Sequence, residues 1–336
     1  MQDYSVYPLA TVEDIARLRR RIAASGIPAK QSDRNLIVGT WNLRAFGAVY
    51  PSWMPNPSSP KRNLRALASI VEVIRCMDVI AIQEVKRDLS GLYLLMDWLG
   101  PNWGHMVSDV TAGEEGNSER LAYVYDLRRV TPTGLAGEIV IPPNQDGAPS
   151  TQFARSPFMV GFQAGEDRFT LLTTHIKYGA IPAERLPELQ SLAKYIAREI
   201  RDRASQSPGG EPNLIVLGDF NIDKRGDNPL FQAFVSSGLS VPPQLEGLRT
   251  AFGAQAKYYD QIAWFMGQMN MNLHSAGTID FAGALFPEIT LQATSFRISD
   301  HLPLWAAFEI DHSAENMART LGVDPAMPDP LASVPD

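Results

Sequence analysis

Nine polar residues stand at the ends of apolar runs, and their types are those that move protons and hold cations: Asn42, Glu84, Glu119, His175, Asp219, Asn221, Asp260, Asp300 and His301. The clearest case is LIVLGDFNID, residues 214–223, in which a run that nothing polar interrupts leads straight into a carboxylate, an amide and a second carboxylate. Gly, Asp and Asn also build ordinary turns. A turn leaves unexplained why VIAIQEV, 79–85, carries Glu84 at its end in the same way. Carboxylate and amide oxygens suit a hard cation, Mg²⁺, Mn²⁺ or Ca²⁺. Without thiolates or a third nearby histidine, a structural zinc site does not fit. There is no Ser or Cys nucleophile motif, no G-x-G-x-x-G opening a helix and no Gly-rich phosphate loop, so no nucleotide cofactor is expected. Acids, amides, imidazoles and a dication are the equipment for attack of water on phosphorus.

These groups need rigid stalks. NLIVGTWNLRAFG, DVIAIQEV, ERLAYVYD, TLLTTHIK and NLIVLGDFN read as strands, and YYDQIAWF and ISDHLPLWAAFEI contribute two more acid-bearing segments. Several of these runs lack in/out alternation, which predicts strands covered on both faces. Helices are predicted over 11–25, where Ile15, Leu18 and Ile22 share a stripe, over 61–76 and over 183–200. Helix, loop, apolar strand and acidic tip occur twice, which reads as a repeated supersecondary unit. YPSWMPNPSSPK and ASQSPGGEP read as loops. Layered sheets with helices outside them follow, with the polar strand ends meeting on one rim. Residues 1–34 form a helical extension, 35–311 the main domain, and 312–336 a Pro/Ala-rich tail.

Composition bounds the partners. The 336 residues carry a formal net charge of −7, so a strongly basic nucleic-acid clamp is not expected. A polyanion would need a local patch, for which Arg44, Lys86, Arg87, Arg155 and Lys177 stand in or just after the motif segments. The Arg19-Arg20-Arg21 run reads as a solvated face. Cys76 is the only cysteine, so no internal disulfide forms, and it reads as a small core residue. No secretory signal and no membrane span of roughly 18 apolar residues is visible, so a cytoplasmic monomer is expected. The six tryptophans, Tyr258 and Tyr259 read as packing.

The segments TWNLRAFG, IAIQEV, TTHIKYG, LGDFNID, YYDQIAWF and SDHLPLW occur in the order found in the endonuclease/exonuclease/phosphatase superfamily. Asn42 followed by Arg44, and GNSERLAYVYD followed by FARSPFMVGF, resemble its deoxyribonuclease I-like branch; the resemblance spans roughly residues 35–310. It implies an α+β fold, a four-layer α/β-sandwich of two packed mixed or mainly antiparallel sheets flanked by helices. It implies a metal-dependent phosphodiesterase, most simply a nuclease. Glu84 would be the main metal ligand, with Asn42 and Asp300 beside it. Asp219 would act on the attacking water and Asn221 on a phosphate oxygen. His301 would pair with Asp260 and His175 with Glu119. Arg155 would contact phosphate and Arg44 the nucleic-acid backbone.

Two departures bear on substrate. GNSE lacks the tyrosine that the branch carries just before the acid matching Glu119, and the branch's disulfides are impossible here. Both argue against duplex DNA more than against phosphoester hydrolysis. A phospholipid headgroup or phosphoinositide therefore stays open as substrate, as does an inactive binding module. Tyr259-Asp260-Gln261, where inositol phosphatases tend to have Cys-Asp-Arg, weighs against the phosphoinositide.

Overall fold

The computed structural model of the protein describes residues 3–113, 115–143, 152–206, 213–236, 238–253, 256–265 and 269–324. In chain order its elements are α1 (Leu9–Ala24), β1 (Asn35–Phe46), α2 (Leu64–Ile74), β2 (Val79–Lys86), α3 (Ser90–Leu99), β3 (Trp103–Val107), β4 (Glu119–Asp126), β5 (Thr131–Glu138), β6 (Phe158–Ala164), β7 (Asp167–His175), α4 (Leu186–Gln206), β8 (Asn213–Asp219), α5 (Pro229–Val235), β9 (Leu239–Ser240), β10 (Asp260–Phe265), β11 (Asn272–Thr278), α6 (Leu291–Ser295), β12 (Leu304–Glu309) and α7 (Ser313–Leu321).

The strands form two six-stranded sheets, ordered β11-β12-β1-β2-β4-β3 and β5-β6-β7-β8-β10-β9. Each sheet holds a single parallel pair, β1 with β2 and β7 with β8, and is otherwise antiparallel. Parallel neighbours need a crossover, and α2 and α4 supply it. The twice-occurring unit of the sequence is therefore the crossover that sets an acid-tipped strand beside a second polar strand end in each sheet: Glu84 of β2 beside the Asn42 end of β1, and Asp219 of β8 beside His175 of β7. Of the segment ASQSPGGEP, Ala204–Gln206 end α4 and the remainder lies outside the described residues.

Burial on both faces of the central strands explains their unbroken apolar runs. Val38, Ala81 and Phe308 of the first sheet meet Phe162, Leu171, Leu217 and Ile262 of the second in the inter-sheet core. On the outer side of the first sheet, Ile37, Ile80 and Ile82 pack with Leu18, Leu67, Ile70 and Leu95 from α1, α2 and α3. On the outer side of the second, Leu172, Leu214 and Val216 pack with Leu189, Ile196 and Phe234 from α4 and α5. The result is a four-layer α/β sandwich. Two polar links cross this core: buried Gln83 donates to Thr40 Oγ1 at 3.0 Å and to Thr173 Oγ1 at 2.9 Å, and Tyr123 Oη donates to the Phe158 carbonyl at 3.1 Å.

The helices α1 and α7 are both tied to this frame. Asp14 of α1 is fully buried and accepts from Arg65 Nε at 2.7 Å and from the Phe286 N–H. Arg19 reaches Glu72 at 2.8 Å. Cys76 lies just beyond α2, half-buried, with its thiol on the Glu72 carbonyl; burial pushes it up to about 11. It is thus inert without belonging to the core.

The segment after 311 opens with a helix, α7; residues 325–336 lie outside the described residues. His312 joins α7 to β7 through Asp167 at 2.8 Å, with Glu315 at 3.3 Å. Burial lowers the His312 pKa, but the hydrogen bond and charge of Asp167 outweigh it and the net shift is upward. A histidine raised on folding contributes stability that is full below its unfolded value, about 6.5, and is lost as pH rises through the folded value. The stability difference between wild type and His312→Gln, measured by urea denaturation, should therefore shrink as pH rises from about 6.5 through the folded value. A difference independent of pH would show that the pair contributes nothing through charge.

Candidate active site

Strand pairing puts the acids together. In the second sheet, parallel β7 and β8 pair His175 with Asp219, and antiparallel β10 pairs Asp260 with the same Asp219. Gly218 permits this close approach: its φ is +147°, and a Cβ there would lie 2.2 Å from the Thr174 carbonyl oxygen. In the first sheet, the register of β1 against β2 shifts between Asn42 and Phe46, and that of β2 against β4 between Ile82 and Val85. These bulges coincide with left-handed backbone at Arg44 (φ 37°), Ala45 (φ 48°) and Glu84 (φ 61°). Such positions cost a non-glycine residue on the order of 1–3 kcal/mol and persist where the surroundings enforce them. Here the bulge aims Glu84 back at β1, so that Oε2 accepts the Ala45 N–H at 2.8 Å and Oε1 the Asn42 amide at 2.9 Å.

Asp219 is the centre. Its Oδ2 accepts Asn42 Nδ2 at 2.9 Å and lies 3.6 Å from His175 Nε2 and 3.7 Å from His301 Nε2. Behind each imidazole stands a buried acid: Glu119 Oε2 is 3.0 Å from His175 Nδ1, and Asp260 Oδ2 is 2.8 Å from His301 Nδ1. Each acid therefore fixes Nδ1 as a donor and turns Nε2 toward the centre. The electrostatics follow. Burial lowers the His301 pKa, but the Asp260 and Asp219 carboxylates overcome it and raise it to about 10. Burial also opposes ionisation of Asp219, yet the two imidazoles, Asn42 and the Asn221 N–H hold it below the usual range. For Glu119 burial is again outweighed, by His175, Arg155 and Lys86, and its pKa falls to about 2.

The segment carrying Asp300 and His301 precedes β12 and is clamped to the β1 tip. Ser299 Oγ donates to the Asn42 carbonyl at 2.6 Å and accepts the His301 N–H at 2.9 Å, and Trp41 Nε1 donates to the His301 carbonyl at 2.9 Å. Arg62 completes the clamp. Its buried guanidinium donates to the carbonyls of Leu43 at 2.7 Å and Arg44 at 3.1 Å on one side, and of Ile298 at 2.8 Å and Arg297 at 2.9 Å on the other. Sequence reading passes over Arg62, because nothing about an arginine before a helix N-cap marks it as buried.

Of the five cations expected to form a patch, four are paired, and Arg87 is exposed with no ion pair to a described residue. Arg44 contacts Asp300 at 3.0 Å, Lys86 contacts Glu119 at 3.0 Å and Lys177 contacts Glu115 at 3.3 Å. Arg155 is buried, 2.6 Å from Glu119, with Nη1 on the His175 carbonyl at 3.3 Å. Asn221 sits in a left-handed turn (φ 51°), its N–H on Asp219 Oδ1 and its amide on the Ile176 carbonyl at 2.6 Å. Tyr259 packs 5.8 Å from the His301 ring.

Every candidate residue thus lies at one rim, where strand ends of both sheets meet. Glu84, Glu119 and His175 offer donor atoms within 4.8 Å of one another, as do Asp219, Asp260 and His301. The donors are oxygens and imidazoles without thiolate, a set that suits a hard divalent cation. The family model for the endonuclease/exonuclease/phosphatase family matches residues 39–301, from β1 to His301. The chain belongs to this family. It falls in the deoxyribonuclease I-like branch and is a hydrolase of phosphoester bonds. A deoxyribonuclease of Thioalkalivibrio sp. (strain K90mix) is 27% identical over 289 residues, 82% of this chain and 71% of the relative. Deoxyribonuclease gamma of Rattus norvegicus is 26% identical over 308 residues, 84% of this chain and 88% of the relative. An endonuclease/exonuclease/phosphatase family protein from Bacteroides thetaiotaomicron has the same fold, with a TM-score of 0.56 and 16% identity over 82% of this chain and 97% of that one. So does the human Nocturnin catalytic domain, with a TM-score of 0.55 and 16% identity over 83% and 95%. No helix among the described residues is long and apolar enough to cross a membrane.

Proposed function

We propose that the protein is a divalent-metal-dependent nuclease that hydrolyses phosphodiester bonds. The observation that carries this is the convergence of two acid–imidazole pairs on one carboxylate oxygen, Asp219 Oδ2. Asp219 orients the attacking water and accepts its proton. His301, held protonated by Asp260 and Asp219, donates its Nε2 proton to the leaving oxygen as the P–O bond breaks. His175, fixed by Glu119, turns Nε2 to a phosphoryl oxygen, and the second amide hydrogen of Asn221 reaches another. Arg155 braces Glu119 from behind, and Arg44 exchanges Asp300 for the nucleic-acid backbone. Glu84, Asn42 and Asp300 would hold Mg²⁺ or Mn²⁺, which would offset charge developing on the phosphoryl oxygens. The deoxyribonuclease relatives support nucleic acid as the substrate.

The test offers supercoiled plasmid, single-stranded oligonucleotide, sphingomyelin and bis-p-nitrophenyl phosphate with Mg²⁺, Mn²⁺ or Ca²⁺, with and without chelator. Cutting of nucleic acid that chelator abolishes is the expected result. Headgroup release with both nucleic acids intact would replace this reading with a phospholipid one.

A further inference from the structure

We propose that this site takes single-stranded nucleic acid, gripped through its bases by two aromatic rings at the rim, Tyr178 and Phe296; the proposal rests on the nuclease reading. Among the described residues, three aromatic side chains are about half exposed or more: Tyr93, Tyr178 and Phe296. Two of the three stand one side chain away from the catalytic centre. Tyr178 makes an edge contact with Tyr259 at 6.2 Å, and Tyr259 lies on His301. Phe296 carries the Arg44 guanidinium at 4.1 Å, and Arg44 contacts Asp300.

Both rings are held from one side. Arg185 lies 4.3 Å from the centre of the Tyr178 ring. That guanidinium is buried and anchored on the Asn221 carbonyl at 2.6 Å and on Asp223 at 2.8 Å. With one face on a buried group, the 56% exposure of Tyr178 comes from its opposite face and edges. Phe296 is likewise 50% exposed with one face under Arg44. Rings presented this way suit stacking on a base.

Charge decides between single and double strands. Duplex binding draws chiefly on phosphate contacts by free cations. Here Lys86, Arg155, Lys177, Arg185 and Lys257 each already face a carboxylate, which leaves Arg44 and the exposed Arg87 for phosphate, and the chain is net negative. Stacking must then supply affinity, and a base offers its face only when it is out of the duplex. The two rings connect to the centre through different neighbours, Tyr178 through Tyr259 to His301 and Phe296 through Arg44 to Asp300, so each can hold a base next to the phosphate to be cut.

The test is fluorescence anisotropy of a labelled short oligonucleotide, single-stranded or annealed to its complement, with chelator present to prevent cutting. Wild type is expected to bind the single strand at least about 10-fold tighter than the duplex. Tyr178→Ala and Phe296→Ala should each weaken single-strand binding by about 5- to 100-fold, the scale of one stacked base. Tyr178→Phe and Phe296→Tyr, which keep a ring, should stay within about twofold of wild type. Equal or tighter binding of duplex overturns the proposal while leaving the nuclease reading intact, and so do alanine variants that bind like wild type. Absence of cutting of any nucleic acid, with sphingomyelin hydrolysed, would instead remove the nuclease reading on which it rests.

Discussion

Asp219→Asn is expected to lower kcat on a phosphodiester by about 10³-fold, within the range for loss of a positioned general base. The substitution preserves shape, so Asn42 and Asn221 keep a neighbour of the same size. What it removes is the one anion that faces both His175 Nε2 and His301 Nε2. Neither acid behind the imidazoles can substitute, because Glu119 and Asp260 are engaged at Nδ1 on the far side of each ring. His301→Gln should cost a similar factor. The double variant should be little worse than either single one, since groups that act on one transfer do not add. Steady-state kinetics on a short oligonucleotide at saturating Mg²⁺ check this, since its alkoxide leaving group needs a proton. A loss below about tenfold would take Asp219 out of the chemical step.

The reason so much of this centre was legible is that its residues stand at strand ends. An apolar run that stops at a carboxylate has only the rim to put it on, and the pairings of β7, β8 and β10 bring His175, Asp219 and Asp260 abreast. What escaped includes two kinds. The edge strands β5 and β11, TPTGLAGE and NLHSAGT, face solvent on part of their surface and include Gly, and in β5 Pro, so they lack the apolar signature of the central strands. The composition that suggested a Pro/Ala-rich tail over 312–336 likewise conceals α7, whose anchor is the His312–Asp167 contact across 145 positions. The second kind is the supporting shell. Ser299, Trp41, Arg62 and Arg185 act through long-range contacts with backbone carbonyls, and acceptors of that kind leave no mark on residue type. The carboxylate partners of Arg44, Lys86, Arg155 and Lys177 escaped for the same reason, since sequence spacing does not reveal them.

Arg62→Ala is expected to destabilise the protein by about 3–5 kcal/mol, among the larger effects of a single substitution. Burial depresses the Arg62 pKa to about 10, so the side chain still carries its charge at neutral pH. Among the described residues no carboxylate forms an ion pair with it. A buried charge of this kind is tolerable only because its donors are satisfied, and the planar fork meets carbonyls of Leu43, Arg44, Arg297 and Ile298 at once. Truncation leaves those oxygens without donors, opens a cavity over Phe46 and frees the strained Arg44–Ala45 turn from the Asp300 segment. Lysine has the charge without the fork. Arg62→Lys should therefore recover part of the stability, yet keep kcat depressed, because Asn42 and Asp300 are no longer held in one register. Urea denaturation and kcat measured on the same preparations separate the two effects. An alanine variant within about 1 kcal/mol of wild type, or a lysine variant of full activity, would mean that Ser299 and Trp41 suffice to hold the two segments together.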